Sequence, residues 1–70
     1  SPIAIDEVFE SINNINKSGV SILLVEQNAK RSLNFCDRGY VLDQGKNSYT
    51  GTGKELLDDP NIIDLYLGKL

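Results

Sequence analysis

The sequence predicts part of an α/β domain, with its elements in the order helix, strand, helix, strand, strand, helix, helix. Apolar residues recur at helical spacing near the start, at Ile5, Val8, Phe9, Ile12 and Ile15. The run Val20–Val25 is apolar on both sides apart from Ser21, as in a strand that helices cover on both faces. About a dozen residues separate it from a second strand, Gly39–Asp43, which is the length of a right-handed crossover and predicts a parallel pair.

The first helix is predicted over residues 3–17 from its end signals as well as from its apolar face. Ser1 can cap its first turn, and Pro2 suits the first helical position. Lys17 lies in the last turn, where the helix dipole favours a positive charge. Gly19 suits the left-handed conformation that ends many helices.

The middle of the chain is predicted to form a second helix and a hairpin. Asn28 can cap a helix that continues through Leu33 and ends near residues 35–37. Asp43–Lys46 is predicted to be a tight turn, with Gly45 where positive φ is needed. The strand Gly39–Asp43 and a more polar outer strand, Asn47–Thr50, would then form an antiparallel hairpin.

Two short helices are predicted to follow the hairpin. Thr52 and Glu55 have the spacing of a capping box, which begins a helix through Leu57. Asp59 and Pro60 end it and begin another, which Gly68 ends in turn. The apolar side of this last helix is formed by Ile62, Ile63, Tyr66 and Leu67.

The composition argues against several classes of function. Seven Lys/Arg and ten Asp/Glu give a net charge of −3, with no basic run and no aromatic residues interleaved with Arg or Lys, so nucleic-acid binding is not expected. No stretch approaches the roughly 18 apolar residues of a membrane span. The single Cys36 cannot form an internal disulfide, and no His is present to join it around a metal, so we expect it to be a small buried apolar residue.

The predicted fold is incomplete. A parallel strand pair that is buried on both faces needs neighbouring strands and a second layer of helices, and 70 residues supply too few of either. We therefore expect the chain to be the trailing part of a larger α/β domain. Exposed strand edges and apolar faces predict self-association of the isolated chain, as a dimer or larger.

Two Gly-Lys pairs invite comparison with the phosphate-binding P-loop, and both fail it. The motif needs a Gly five residues before its second Gly and a Ser or Thr after the Lys. Those positions hold Ser48 and Glu55 around Gly53-Lys54, and Tyr40 and Asn47 around Gly45-Lys46. The two pairs are better interpreted as turn and helix-start residues.

The polar trio Glu26-Gln27-Asn28 follows the strand Val20–Val25 directly. Ligands of open α/β sheets bind beyond the carboxyl ends of the strands, so these side chains are candidates for a site. The alternative is that Asn28 only caps the next helix and that Glu26 and Gln27 are solvated loop residues. An acid–base pair of Glu26 with Asp43 is disfavoured, because the sequence offers no nucleophile or substrate pocket beside it.

The segment Ser21–Gly68 resembles the C-terminal third of an ABC-transporter ATP-binding subunit, closest to the branched-chain amino acid importers. CDRGYVLDQG, residues 36–45, resembles the hairpin of that subgroup, and GTGKELLDDP followed by YLG, residues 51–60 and 66–68, resembles its tail. SPIAIDEVFESI, residues 1–12, resembles the helix after the D-loop. The resemblance covers essentially the whole chain and implies a partial P-loop NTPase-type domain over residues 1–70.

The resemblance also implies a function. Gln27 occupies the switch (H-loop) position, which is usually His, and would contact the ATP γ-phosphate and position the attacking water. An amide donates and accepts hydrogen bonds but does not titrate near neutral pH, so a general-base role is not expected. The P-loop, the signature motif and the Mg²⁺-binding strand would lie upstream of Ser1.

The implied parent protein binds ATP and Mg²⁺, pairs with a second ATPase subunit and docks on permease subunits at the cytoplasmic face of the membrane. The 70-residue chain alone is expected to be inactive and not to insert into a membrane. A different class of function stays open from the residues alone: a free-standing small α/β interaction module whose partner covers the open sheet.

Overall fold

The computed structural model describes residues 1–68 of the chain. It contains helices α1 (Pro2–Lys17), α2 (Ala29–Phe35), α3 (Gly53–Leu57) and α4 (Pro60–Ile62), which a π-helical turn (Ile63–Leu67) continues. Strands β1 (Arg38–Asp43) and β2 (Lys46–Thr52) form the sheet. The mixture of helix and strand predicted from the sequence is therefore present.

The capping residues predicted from the sequence account for most of the element ends. The Ser1 hydroxyl accepts from the backbone N–H of Ala4 at 3.3 Å, and Gly19 adopts a φ of +104° beyond the end of α1. The capping box is complete, since Thr52 Oγ1 accepts from Glu55 N at 3.0 Å and Glu55 Oε1 accepts from Thr52 N at 2.9 Å. Local polar chemistry thus fixes where these helices begin.

The hairpin is antiparallel, as predicted. Arg38 pairs with Thr52 at its open end and Asp43 pairs with Lys46 at its turn, and the register shifts between Val41 and Leu42. Gly45 adopts a φ of +78° in the turn, which is the conformation that favours glycine there. Lys46 is therefore the first residue of β2, directly after a tight turn, and does not belong to a phosphate loop.

The predicted strand Val20–Val25 does not form, so the element order differs from the prediction. Within residues 1–68 the sheet consists of β1 and β2, with no parallel pair. Leu23 and Val25 are 89% and 90% exposed. A strand is held by hydrogen bonds to a neighbouring strand, and the described chain gives this segment none.

The buried core lies between α2, α3 and α4 with its π-helical continuation. Leu33, Leu56 and Ile62 form it, and the half-buried residues packed around it are Cys36, Val41, Tyr49, Leu57 and Leu67. The helix α1 contributes little, because Phe9 is its buried residue while Ile5, Val8 and Ile15 are about half exposed. The apolar stripe predicted for this helix is thus present, but most of it remains uncovered.

Candidate functional site at the Glu26-Gln27-Asn28 turn

Two members of the polar trio hold the backbone of their own turn. Glu26 Oε1 accepts from the backbone N–H groups of Gln27 at 2.8 Å and Asn28 at 3.2 Å. Asn28 Oδ1 accepts from the backbone N–H of Arg31 at 3.1 Å, which is the helix cap predicted from the sequence. These contacts define the conformation of the turn and give Glu26 and Asn28 structural roles.

Gln27 is left as the functional candidate of the trio. It is exposed and lies at a bend just before the Asn28 cap of α2. Its primary amide can donate two hydrogen bonds and accept two more. The turn therefore presents a neutral hydrogen-bonding group to solvent from a backbone that its neighbours fix on both sides.

The first turn of α2 is tied to α1 by a group of side chains that we name the Arg31 cluster: Asp6, Phe9, Arg31 and Phe35. Arg31 Nη1 donates to Asp6 Oδ1 at 2.6 Å, and its guanidinium carbon lies 5.3 Å from the centre of the Phe9 ring. The Phe9 and Phe35 rings meet edge to face, with centroids 5.0 Å apart. An open cavity of about 440 Å³ lies beside this cluster and the Asn28 cap.

Sequence reasoning missed the Arg31 cluster. Asp6 and Arg31 are 25 residues apart, and no motif links them. The apolar spacing of α1 identified Phe9 as a face residue but gave no partner for it. Only the packing of α1 against α2 brings these side chains together.

Cys36 packs against the core, but it is less buried than predicted. It is half-buried against the core, and burial, reinforced by the Asp37 carboxylate, raises the pKa of its thiol, although its own backbone N–H acts in the opposite direction. The thiol is therefore protonated at neutral pH and a poor nucleophile. Across residues 1–68, no three His, Cys, Asp or Glu side chains are grouped as a metal site would need.

The Gly-Lys pair at Gly53-Lys54 lies at the start of α3, in agreement with the helix-start interpretation. The backbone N–H of Gly53 donates to the carbonyl of Asp37 at 3.3 Å, so it is engaged within the chain. None of the helices within residues 1–68 combines the length and the hydrophobicity of a membrane span.

Comparison with known proteins finds relatives along nearly the whole chain. The high-affinity branched-chain amino acid transport ATP-binding protein BraG of Pseudomonas aeruginosa is 44% identical over 68 residues, which make up 97% of this chain and 29% of BraG. The lipopolysaccharide export system ATP-binding protein LptB of Acidithiobacillus ferridurans is 33% identical over 67 residues, 96% of this chain and 28% of that protein. LptB of Escherichia coli K12 is 31% identical over 68 residues, 97% of this chain and 28% of LptB.

The chain belongs to the ABC-transporter ATP-binding proteins. No protein-family model matches it, and no solved structure gives a significant match. It spans less than a third of the length of these ATP-binding proteins. The resemblance inferred from the sequence is confirmed, and within the family the chain is close to the branched-chain amino acid importer BraG.

Proposed function

We propose that this chain is the C-terminal part of the ATP-hydrolysing subunit of an ABC importer for branched-chain amino acids. The observation that carries the proposal is the 44% identity to BraG over 97% of the chain. The identities to the two LptB proteins are 33% and 31% over a similar span, so the importer is favoured over lipopolysaccharide export. The absence of a P-loop from the 70-residue sequence supports inactivity of the chain alone.

In the intact protein, Gln27 would contact the γ-phosphate of ATP and orient the attacking water. The turn exposes Gln27 to solvent, and hydrogen bonds to the side chains of Glu26 and Asn28 hold its backbone, which supports this role. Phosphoryl transfer depends mainly on positioning and charge stabilisation, and a neutral amide suffices for positioning. ATP and Mg²⁺ would be held by the P-loop, the signature motif and the Mg²⁺-binding strand of the remaining chain.

The same proposal implies the partners and the cellular location of the intact protein. A second ATPase subunit would complete the nucleotide sites, and permease subunits would hold the pair at the cytoplasmic face of the membrane. The segment Val20–Val25 would form its strand, parallel to β1, within the larger sheet. Its exposed apolar side chains support burial by other parts of the intact protein.

The test is steady-state ATP hydrolysis by the full-length protein that contains this segment. Gln27→Asn keeps the amide and shortens its reach by one methylene, so we expect kcat to fall at least about tenfold with little change in KM. Gln44→Asn is the matched control, because it makes the same change at the exposed hairpin turn and should leave kcat unaltered. Equal activities of the two variants would refute the role of Gln27.

The transported substrate needs a separate measurement. A strain that lacks the subunit should regain uptake of radiolabelled leucine, isoleucine or valine when the full-length protein is supplied with its permease. Failure of uptake together with normal ATP hydrolysis would reject the importer and keep the ATPase.

A further inference from the structure

We propose that Arg31 is a positioning residue for Gln27, acting by fastening the first turn of α2 to α1. This inference rests on the proposed function of Gln27 and deepens it. Arg31 contacts both the turn that carries Gln27 and the helix α1. Its backbone N–H binds the Asn28 side chain, one residue after Gln27, and its guanidinium binds Asp6 on α1.

The geometry of the Arg31 cluster limits the movement of α2 against α1. The ion pair at 2.6 Å fixes the end of the Arg31 side chain, and the Phe9 ring lies 5.3 Å from the guanidinium carbon. Phe35, at the other end of α2, meets the same Phe9 ring. Phe9 thus contacts both ends of the short helix, and Phe9 is the buried residue of α1.

Because the Arg31–Asp6 ion pair is exposed, its effect on the position of Gln27 can be tested without a large loss of protein stability. The side chains of Arg31 and Asp6 are 34% and 64% exposed, and exposed ion pairs contribute little to folding. Loss of the Arg31 side chain should therefore leave the protein folded. It removes a direct attachment between α1 and the helix turn that carries Gln27, so the average position of the Gln27 amide should change.

The kinetic consequence follows from the demands of phosphoryl transfer. Misplacement of a positioned group by about 1 Å can cost about a hundredfold in rate. For a partial loosening of the turn we expect Arg31→Gln to lower kcat about three- to tenfold. KM for ATP should change little, because most contacts to the nucleotide would lie outside this segment.

The experiment measures ATP hydrolysis by the full-length protein as wild type, Arg31→Gln, Arg31→Lys and Lys30→Gln. Lys30→Gln is the matched control, because Lys30 is the exposed neighbour of Arg31. This substitution removes one positive charge, as Arg31→Gln does, but leaves the ion pair intact. We expect loss of kcat in Arg31→Gln, partial recovery in Arg31→Lys, which keeps a cation beside Asp6 and Phe9, and wild-type kcat in the control.

A double-mutant cycle distinguishes positioning from general damage. If Arg31 acts through Gln27, Arg31→Gln should cost nothing further in a Gln27→Asn background. Multiplicative losses in the double variant, or an equal loss in Lys30→Gln, would overturn the inference. The proposed function fails separately, when Gln27→Asn alone leaves kcat unchanged.

Discussion

Gly53 lies where α2, the start of β1 and α3 meet, and its replacement gives a sharp test of the packing. A Cβ at this position would lie 2.3 Å from the backbone carbonyl oxygen of Leu33 and 2.8 Å from that of Cys36. Both distances are far below van der Waals contact, and both involve backbone atoms that cannot rotate away. Gly53→Ala therefore requires α2 and α3 to separate.

Two effects of opposite sign compete in this variant. Alanine is favoured over glycine inside a helix by up to about 1 kcal/mol, so helix propensity alone predicts stabilisation. Forcing an extra methyl group into a packed site costs about 1–3 kcal/mol, and rigid backbone neighbours put the cost at the upper end. We expect the steric term to exceed the propensity term and to lower the free energy of unfolding by about 2 kcal/mol.

The assay is urea unfolding of the chain in dilute solution, followed by far-ultraviolet circular dichroism. Gly51→Ala is the control, because its Cβ would lie 3.4 Å from Glu55 Oε1 and 3.5 Å from Glu55 Cβ, which are ordinary contacts. It should unfold at nearly the wild-type urea concentration. If Gly53→Ala is as stable as this control, the close approach of α2 to Gly53 is wrong.

Two further predictions concern the capping box and the exposed segment. Thr52→Ala should lower the free energy of unfolding by about 1 kcal/mol. The Thr52 backbone N–H, and then its hydroxyl, lower the pKa of Glu55, so the wild-type box should lose its contribution as pH falls from the ordinary glutamate value through the lower folded one. Urea titrations at several pH values check this, and an unchanged acid dependence in Glu55→Gln would contradict it. We also expect the double variant Leu23→Lys, Val25→Lys to self-associate less than the wild type, as measured by light scattering. Because both side chains are exposed, its free energy of unfolding should change by less than about 0.5 kcal/mol. Persistent large species would argue against association through this segment.

The features that the sequence predicted correctly are those whose causes lie within a few residues. The caps at Ser1 and Asn28 and the box at Thr52 each depend on a hydrogen bond that spans three residues. The hairpin depends on a short turn with Gly45 at positive φ. Such signals are complete in the local sequence, so they do not depend on residues far away along the chain.

The features that failed or were missed depend on distant partners. The run Val20–Val25 has the composition of a buried strand, but a strand forms only against a neighbour. The Asp6–Arg31 ion pair joins residues 25 positions apart, and nothing in either local sequence indicates the other. At the candidate site, Asn28 was predictable as a helix cap from its residue type. The assignment of Gln27 to the switch position came only from the family resemblance.

An open groove beside β1 indicates where the strand predicted over residues 20–25 would lie in the proposed larger domain. This groove measures about 670 Å³, and its lining includes residues 21–24 together with Arg38 and Tyr40 of β1. The strand β1 is paired with β2 along one edge only within residues 1–68. An unpaired edge beside an apolar segment is a site for strand addition. The segment predicted as a strand over residues 20–25 and the strand β1 therefore border the same groove without pairing, as expected if the neighbours that would fix their spacing belong to the proposed larger domain.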